Sequence, residues 1–260
     1  MVKIQMLDGD NPDELVPPVE LMFDGASTME EFIAVGEGFS REYLLHRAKL
    51  RPDERVLDLG SGIGQKARIL SRYLDKNGSY EGLDIVRSGV EWCQKAYASF
   101  PHFHFTLADD LYSSHYSPAG RIRADEYRLP YNDGEFDLVF CASLFTHLLP
   151  HETKHYVAEI ARVLKPKGRC VMTAFLLNSD SSRTVEEGPI KFPVQCNKYR
   201  IAQAADPSWA VAIEESFLRQ TLEERGMRIC EITYGFWAGG LELLSALQDC
   251  LIAVKTPNAA

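Results

Sequence analysis

The sequence predicts an α/β protein: a doubly wound, mostly parallel seven-stranded sheet with an antiparallel C-terminal strand and helices on both faces. Three observations carry that expectation. From residue 55 onward, short apolar runs alternate with helical stretches, the pattern of parallel strands joined by crossover helices. A glycine-rich turn, "LGSGIGQ", follows the first apolar run, where such folds bind ligands beyond the carboxyl ends of the strands. The chain has 260 residues, 45% of them hydrophobic, enough for one elaborated α/β domain.

The elements follow in order. "STMEEFIAVGEGFSREYLLHRAKL" carries Phe32, Phe39, Tyr43 and Leu44 at helical spacing, so one or two helices precede the sheet. "RVLDLG" is the first strand and "QKARILSRYLDK" a helix; "SYEGLDIV" is the second strand and "SGVEWCQKAYASF" the next helix. "FHFTLADD" is a third strand, followed by an irregular stretch up to "NDGE". "FDLVFCAS", the helix "HETKHYVAEIARVLK" and "GRCVMTAFLLN" continue the alternation. The helix "AIEESFLRQTLEERGM" and two strand-like runs, "RICEITYGFW" and "DCLIAVK", close the chain, the last two pairing antiparallel. Four regions result: an arm and lid helices over 1–50, a ligand-binding core over 51–178, a cap over 179–211 holding Pro189, Pro193 and Pro207, and terminal elements over 212–260. Residues 1–22, acidic and proline-containing, read as a partly ordered arm.

The net charge of −9 argues against a nucleic-acid footprint, which needs a basic stripe. Six scattered cysteines, without a C-x-x-C pair and several within apolar runs, read as buried free thiols of a reducing compartment. The N-terminus lacks the apolar core of a signal peptide and no run approaches transmembrane length. The expectation is a cytoplasmic protein without a membrane or nucleic-acid partner.

The glycine loop narrows the ligand. A dinucleotide fingerprint needs G-x-G-x-x-G, but here Gly60, Gly62 and Gly64 give G-x-G-x-G, and Gln65 stands at the third position. Asp58 sits in the strand end just before the glycines, an awkward neighbour for pyrophosphate and a good one for an ammonium group. Asp84 ends the second strand, where a carboxylate accepts both hydroxyls of a ribose. The loop suits a nucleoside whose other end is cationic.

"VLDLGSGIGQ", "YEGLDIV", "LPYNDGEFDLVFCASLFTHL" and "EIARVLKPKGRCVMT" together resemble the successive motifs of class I, Rossmann-like S-adenosylmethionine-dependent methyltransferases of the bacterial small-molecule type. The resemblance runs from about residue 54 to 175. It implies S-adenosyl-L-methionine as cofactor and S-adenosyl-L-homocysteine as product. It further implies that Asp58 and the backbone of Gly60 and Gly62 hold the methionine moiety, Asp84 the ribose, and Ile85 the adenine face. Ser61 replaces a frequent Cys, and "KPKG" stands where "KPGG" is usual. Either Asp109 or Asp125 meets the adenine amino group, Asp109 being preferred because the stretch between them reads as an insertion. Ser61 and Ser143 complete the cofactor-binding candidates.

Methyl transfer needs in-line approach of a nucleophile, and an oxygen acceptor often needs a general base. His147, in "CASLFTHLL" directly after the fourth strand, is the base candidate. Tyr43, Phe192, Tyr199 and Trp237 are acceptor-site candidates, with core packing as the alternative for the aromatics. The expected acceptor is a small molecule, methylated at oxygen on a sugar or specialised metabolite; monomer and homodimer both stay open. A binding-only sensor or scaffold, an N- or C-methyltransferase, an aminopropyl transferase and a NAD-linked oxidoreductase are the competing readings. Ser143 stands where the aminopropyl transferases need an acid, and Gln65 breaks the oxidoreductase fingerprint.

"HETKH" fits the H-E-x-x-H zinc signature through His151, Glu152 and His155. At about 100° per residue, both histidines lie opposite Val157, Ile160 and Leu164, sharing a face with Glu159 and Arg162. That face is expected in solvent. His102 and His104 alternate along the third strand without an assignable acidic partner, so no metal is predicted.

Overall fold

The computed structural model describes residues 15–23, 25–239 and 246–257; most of the arm expected over 1–22 lies outside them. The chain forms two compact units, one comprising residues up to Asp109 with Phe136–Leu138, the other Asp110–Glu135 with Val139 onward.

In the first unit, strands β1 (Arg55–Leu59), β2 (Ser79–Asp84) and β3 (Phe103–Leu107) run parallel in the order β3-β2-β1, and Phe136–Leu138 open β4 (Phe136–Cys141). Val56, Leu57 and Leu59 are buried, as expected of a strand covered on both faces. Asp58 pairs in register with Gly82, and Asp84 with Leu107, so the two acids stand at neighbouring strand ends.

Helix α1 (Met29–Phe39) starts where the Thr28 hydroxyl accepts the Glu31 N–H at 3.1 Å and the Glu31 carboxylate accepts the Ser27 N–H at 2.8 Å, which satisfies otherwise orphaned donors. Phe32 packs with Ala26 and Ile63. From Ser40 to Arg47 the backbone widens to a π-helix, closed by the Ala48 N–H on the Tyr43 carbonyl at 2.9 Å. A Cβ at Gly36 would lie 2.3 Å from the Gln65 carbonyl oxygen. Only glycine lets α1 lie this close to the glycine loop. The helix expected over 65–76 contracts to α2 (Ala67–Leu70), while α3 (Arg87–Ala96) starts one residue before the predicted stretch 88–100 and ends inside it.

In the second unit, β5 (Leu164–Leu177) lies beside β4. Its other edge is shared: Arg169–Ala174 pair antiparallel with β10 (Asp249–Lys255), and Phe175–Leu177 pair parallel with β8 (Val211–Glu214). Strand β9 (Met227–Thr233) pairs antiparallel with β10. Strands β1 to β5, β9 and β10 supply the seven expected; among the described residues β6 (Val194–Gln195), β7 (Tyr199–Ile201) and β8 add three more. Residues 212–214, expected to open a helix, belong to β8, and α6 begins at Glu215 (Glu215–Glu223). Val211, Ala212 and Ile213 are consecutively buried. Such a run suits a strand covered on both faces, whereas helical periodicity starts only with Phe217, Leu218, Thr221 and Leu222.

Helix α4 (Pro150–Val163) has Pro150 in its first turn, and the Glu152 carboxylate accepts the Leu149 N–H at 2.7 Å. Its outer face corrects the expectation of solvent. Arg162 donates to the Leu129 and Tyr131 carbonyls and to Asp133 and Glu159. Glu159 accepts the Leu129 N–H at 2.8 Å, and the His155 Nε2 bonds the Tyr127 carbonyl at 2.8 Å. Polar residues there hold down the 127–133 strap, a role that helical periodicity does not reveal. Among the described residues no helix is long and apolar enough to cross a membrane.

The core of this unit gathers Phe175, Phe192, Val185 and Trp237; burying each large apolar side chain contributes about 1.5–3 kcal/mol. Asp249 organises its edge. One oxygen accepts the Leu176 N–H at 2.7 Å and the Trp237 indole N–H at 2.8 Å, the other the Gly235 N–H at 2.8 Å. Burial pushes its pKa up to about 6 against these donors. The folded pKa lies above the ordinary 3.8, so the carboxyl favours folding most below about pH 4. That contribution is lost as pH rises through about 6. Asp249→Ala orphans two buried N–H donors, of Leu176 and Trp237, and the part-buried Gly235 N–H, while removing a poorly solvated charge. The expected net loss at neutral pH is about 2–3 kcal/mol, read from the urea midpoint.

Candidate active site

The glycine-loop candidates lie in the first unit, at the ends of β1 and β2. Gly60 and Gly62 both have positive φ, 82° and 55°, which glycine adopts without a steric penalty. The turn is tied to β2 twice: the Gly60 N–H donates to the Leu83 carbonyl at 2.9 Å, and the Gly62 N–H to the Asp84 carboxylate at 2.7 Å. The second Asp84 oxygen accepts the Val86 N–H at 2.8 Å. Asp84 is therefore fixed as an acceptor at the strand end.

Asp58 is fully buried and accepts the Tyr80 hydroxyl at 2.7 Å. Burial, reinforced by the Asp58 charge, pushes the Tyr80 pKa well up, so the phenol remains the donor. Ile85 is half-buried beside Asp84. Asp109 is exposed two residues beyond β3, with Arg87 at 3.5 Å, and the Ala108 N–H donates to the Asp84 carbonyl. Tyr43 is buried, with Phe39 tilted against it and the Arg47 guanidinium 6.0 Å from its ring centroid.

Three buried polar atoms of this loop have no hydrogen-bond partner among the described residues: the Ser61 hydroxyl oxygen and both amide atoms of Gln65. Buried polar groups are normally satisfied, so a loop with such atoms beside two oriented acids fits a polar, hydroxyl-bearing ligand. Gln65 entered the sequence reading only as a broken fingerprint. Its burial, at 1% exposure, is a tertiary fact.

The other candidates lie in the second unit. Ser143 follows β4 with φ 65°; its N–H donates to the Thr173 hydroxyl at 2.7 Å, and its own hydroxyl meets the Gln248 amide at 3.0 Å. Asp125 is held by the Arg123 fork at 2.8 and 2.9 Å, with His151 at 3.8 Å. The Arg123 hydrogen bond draws its pKa down. Tyr199 is half-buried on β7, and Phe192 and Trp237 are enclosed in the core at 0% and 1% exposure. That burial, driven by mutual aromatic contacts, leaves them no surface for an acceptor in this conformation.

His147 is half-buried, and its Nδ1 lies 2.9 Å from the Ser208 carbonyl. A carbonyl only accepts, so Nδ1 carries the proton and the neutral ring keeps its lone pair on Nε2. Burial draws the pKa below the ordinary 6.5, partly offset by the Ser208 and Trp209 backbones. Around it stand Tyr116, edge-on at 6.2 Å between centroids, and His115, which meets the Tyr116 ring at 4.6 Å. Neither was singled out from sequence, because both lie in the irregular stretch after β3.

The H-E-x-x-H side chains have other partners: His151 faces Asp125, Glu152 caps α4, and His155 holds Tyr127. His104 pairs with Glu81 across β2 and β3 at 3.0 Å.

Residues 57–172 match the family described as "Methyltransferase domain". The phthiotriol/phenolphthiotriol dimycocerosates methyltransferase 1 of Mycobacterium ulcerans (strain Agy99) is 32% identical over 120 residues, 46% of this chain and 37% of that protein. The 27-O-demethylrifamycin SV methyltransferase of Amycolatopsis mediterranei (strain S699) is 27% identical over 212 residues, 72% of this chain and 71% of that protein. The chain spans less than half the length of the first curated relatives it matches. The PH0226 protein from Pyrococcus horikoshii OT3 shares the fold, with a TM-score of 0.59 and 16% identity over 96% of this chain and 100% of that one. The matched segment runs from β1 into β5 and includes the glycine loop, Asp84 and the strand that precedes His147. Residues 57–172 thus match a methyltransferase domain, on a fold shared with the P. horikoshii protein.

Proposed function

We propose that the chain is an S-adenosylmethionine-dependent methyltransferase that acts on a hydroxyl of a small molecule, a sugar or specialised metabolite. The observation that carries the choice of oxygen is His147. Its Nδ1 proton is committed to the Ser208 carbonyl, and the depressed pKa keeps the ring neutral, so Nε2 is ready to take a proton. A hydroxyl becomes a competent nucleophile when it loses its proton during attack. The A. mediterranei relative, named for a 27-O-demethyl compound, supports an oxygen acceptor.

Bound S-adenosylmethionine supplies an electrophilic methyl group on a sulfonium. The chain does the rest. Asp58 and the Gly60–Gly62 backbone hold the methionine end, with Ser61 and Gln65 as polar lining. Asp84 accepts the ribose hydroxyls, Ile85 packs on the adenine, and Asp109 takes its amino group. Asp109 is preferred to Asp125 because Arg123 already engages both Asp125 oxygens. Ser143 is oriented by Thr173 and Gln248 at the end of β4. The division into lid helices over 1–50, a core over 51–178 and a cap over 179–211 belongs to the same reading.

Two measurements test it. Incubation with methyl-labelled cofactor and a metabolite extract is expected to place the label on a small-molecule oxygen. Binding without transfer to any acceptor would reduce the chain to a sensor, and label on nitrogen or carbon would displace the oxygen reading. Once an acceptor is in hand, kcat/KM is expected to fall with decreasing pH along a limb below pH 6.5, the ordinary histidine value, because protonated His147 has no lone pair to offer. An acid limb at or above that value contradicts the assignment.

A further inference from the structure

The His147 proton is placed by a turn and a loop far apart in sequence. Asp206, Pro207, Ser208 and Trp209 form a β-turn closed by the Trp209 N–H on the Asp206 carbonyl at 3.1 Å, with proline at the second position, where its fixed φ fits. The turn presents the Ser208 carbonyl to His147. Just beyond it, the Val211 N–H donates to the Thr146 carbonyl at 2.7 Å, which anchors the turn beside the histidine's own segment.

The second piece is the loop 113–117. Ser113 and Ser117 exchange backbone hydrogen bonds at 3.0 and 3.1 Å, and the Tyr116 N–H donates to the Ser113 hydroxyl at 3.2 Å. This closed loop sets the Tyr116 ring edge-on to His147. One atom joins the two pieces. The Ser208 hydroxyl donates to Asp206 Oδ1 at 2.9 Å, and the Ser114 hydroxyl donates to the same oxygen at 3.0 Å. The two hydroxyls lie 3.1 Å apart.

We propose that Asp206 is a positioning residue that latches the 113–117 loop to the 206–209 turn through Ser114 and Ser208, and so fixes which nitrogen of His147 carries the proton. The proposal rests on the reading of His147 as a base, although the latch itself is independent of it. An imidazole in water favours the proton on Nε2, the tautomer whose Nε2 cannot accept. Without the latch the Ser208 carbonyl loses its fixed place, Tyr116 loses its edge-on position, and the ring drifts toward that unproductive tautomer. The ionisable groups that act on His147 are His115, which disfavours its charge, and Asp206, which favours it. Because both serines use one oxygen, an asparagine at 206 offers the same acceptor without the charge.

Long-range proton–nitrogen NMR of the 15N-labelled full chain at about pH 8, where an ordinary imidazole is neutral, tests the latch without an acceptor; His147→Gln identifies the signals. In the wild type and in Asp206→Asn, Nδ1 is expected to be protonated and Nε2 bare. In Asp206→Ala the two tautomers are expected to mix. Ser114→Ala, on an exposed loop, gives the same reading if Asp206→Ala fails to fold. With an acceptor, kcat should fall about 10- to 100-fold in Asp206→Ala, the size of effect seen for partners that orient metal-binding histidines, and recover in Asp206→Asn, with the cofactor Kd unchanged. A wild-type tautomer in Asp206→Ala or in Ser114→Ala overturns the latch. Full activity in His147→Gln, with the wild-type tautomer fixed as described, overturns the base and leaves the latch standing.

Discussion

Replacing His147 by alanine is expected to lower kcat by about 10²- to 10⁴-fold, the usual contribution of a positioned general base, while S-adenosylmethionine binds as before. The proposed cofactor residues Asp58, Gly60, Gly62 and Asp84 belong to β1, the loop after it and the end of β2, and His147 to the segment after β4. The two functions therefore separate in a single-turnover assay with saturating cofactor. A purely structural histidine is the rival explanation, since its bond to Ser208 at 2.9 Å also ties down the 206–209 turn. Glutamine distinguishes them: its amide can donate to that carbonyl but cannot accept a proton. His147→Gln with a wild-type urea midpoint and alanine-like kcat assigns the role to the base. His147→Gln with full activity returns the residue to structure.

The second large effect concerns affinity. Asp84→Ala is expected to weaken S-adenosylmethionine binding by about 10²- to 10⁴-fold. Two hydroxyl donors to a carboxylate contribute about 1.5–3 kcal/mol each when made to a charged partner, and each 1.4 kcal/mol is tenfold. The carboxylate also holds the Gly62 N–H at 2.7 Å and the Val86 N–H at 2.8 Å, so its removal loosens the glycine turn that should receive the ligand. Asp84→Asn keeps one acceptor oxygen and should lie between alanine and wild type. Titration calorimetry with S-adenosylmethionine and its demethylated product reads both variants. Unchanged affinity in a folded Asp84→Ala protein would remove the ribose from this strand end. The same titration with Asp125→Ala is informative by contrast, because Arg123 already occupies both of its oxygens.

The glycine loop was legible because it is local. Within a dozen residues the sequence shows an apolar strand, an acid and three glycines, and the strand, the positive-φ turn and the Asp84 contact all follow. The strands β1 to β5 were equally plain, since alternation of apolar runs and helices is read within short windows. Strand β8 was not. "AVAIEESF" passes smoothly from strand to helix, and only the far end of β5, pairing with Ala212 to Glu214, decides the boundary. The outer face of α4 misled in the same way. Polar residues at helical spacing read as solvent-facing, yet Arg162 and Glu159 are the donors and acceptor that hold the 127–133 strap.

The sequence by itself determined the fold class, the cofactor family and the identity of His147 as a candidate, because each rests on short-range pattern and residue chemistry. Tertiary structure alone decided the state of that histidine. Its nearest orienting groups come from Ser208 and Tyr116, and the latch joins Ser114 to Asp206 across 92 positions. No local periodicity encodes such a pairing. It exists only where the chain, folded for burial and backbone hydrogen bonding, brings two distant loops onto one carboxylate oxygen.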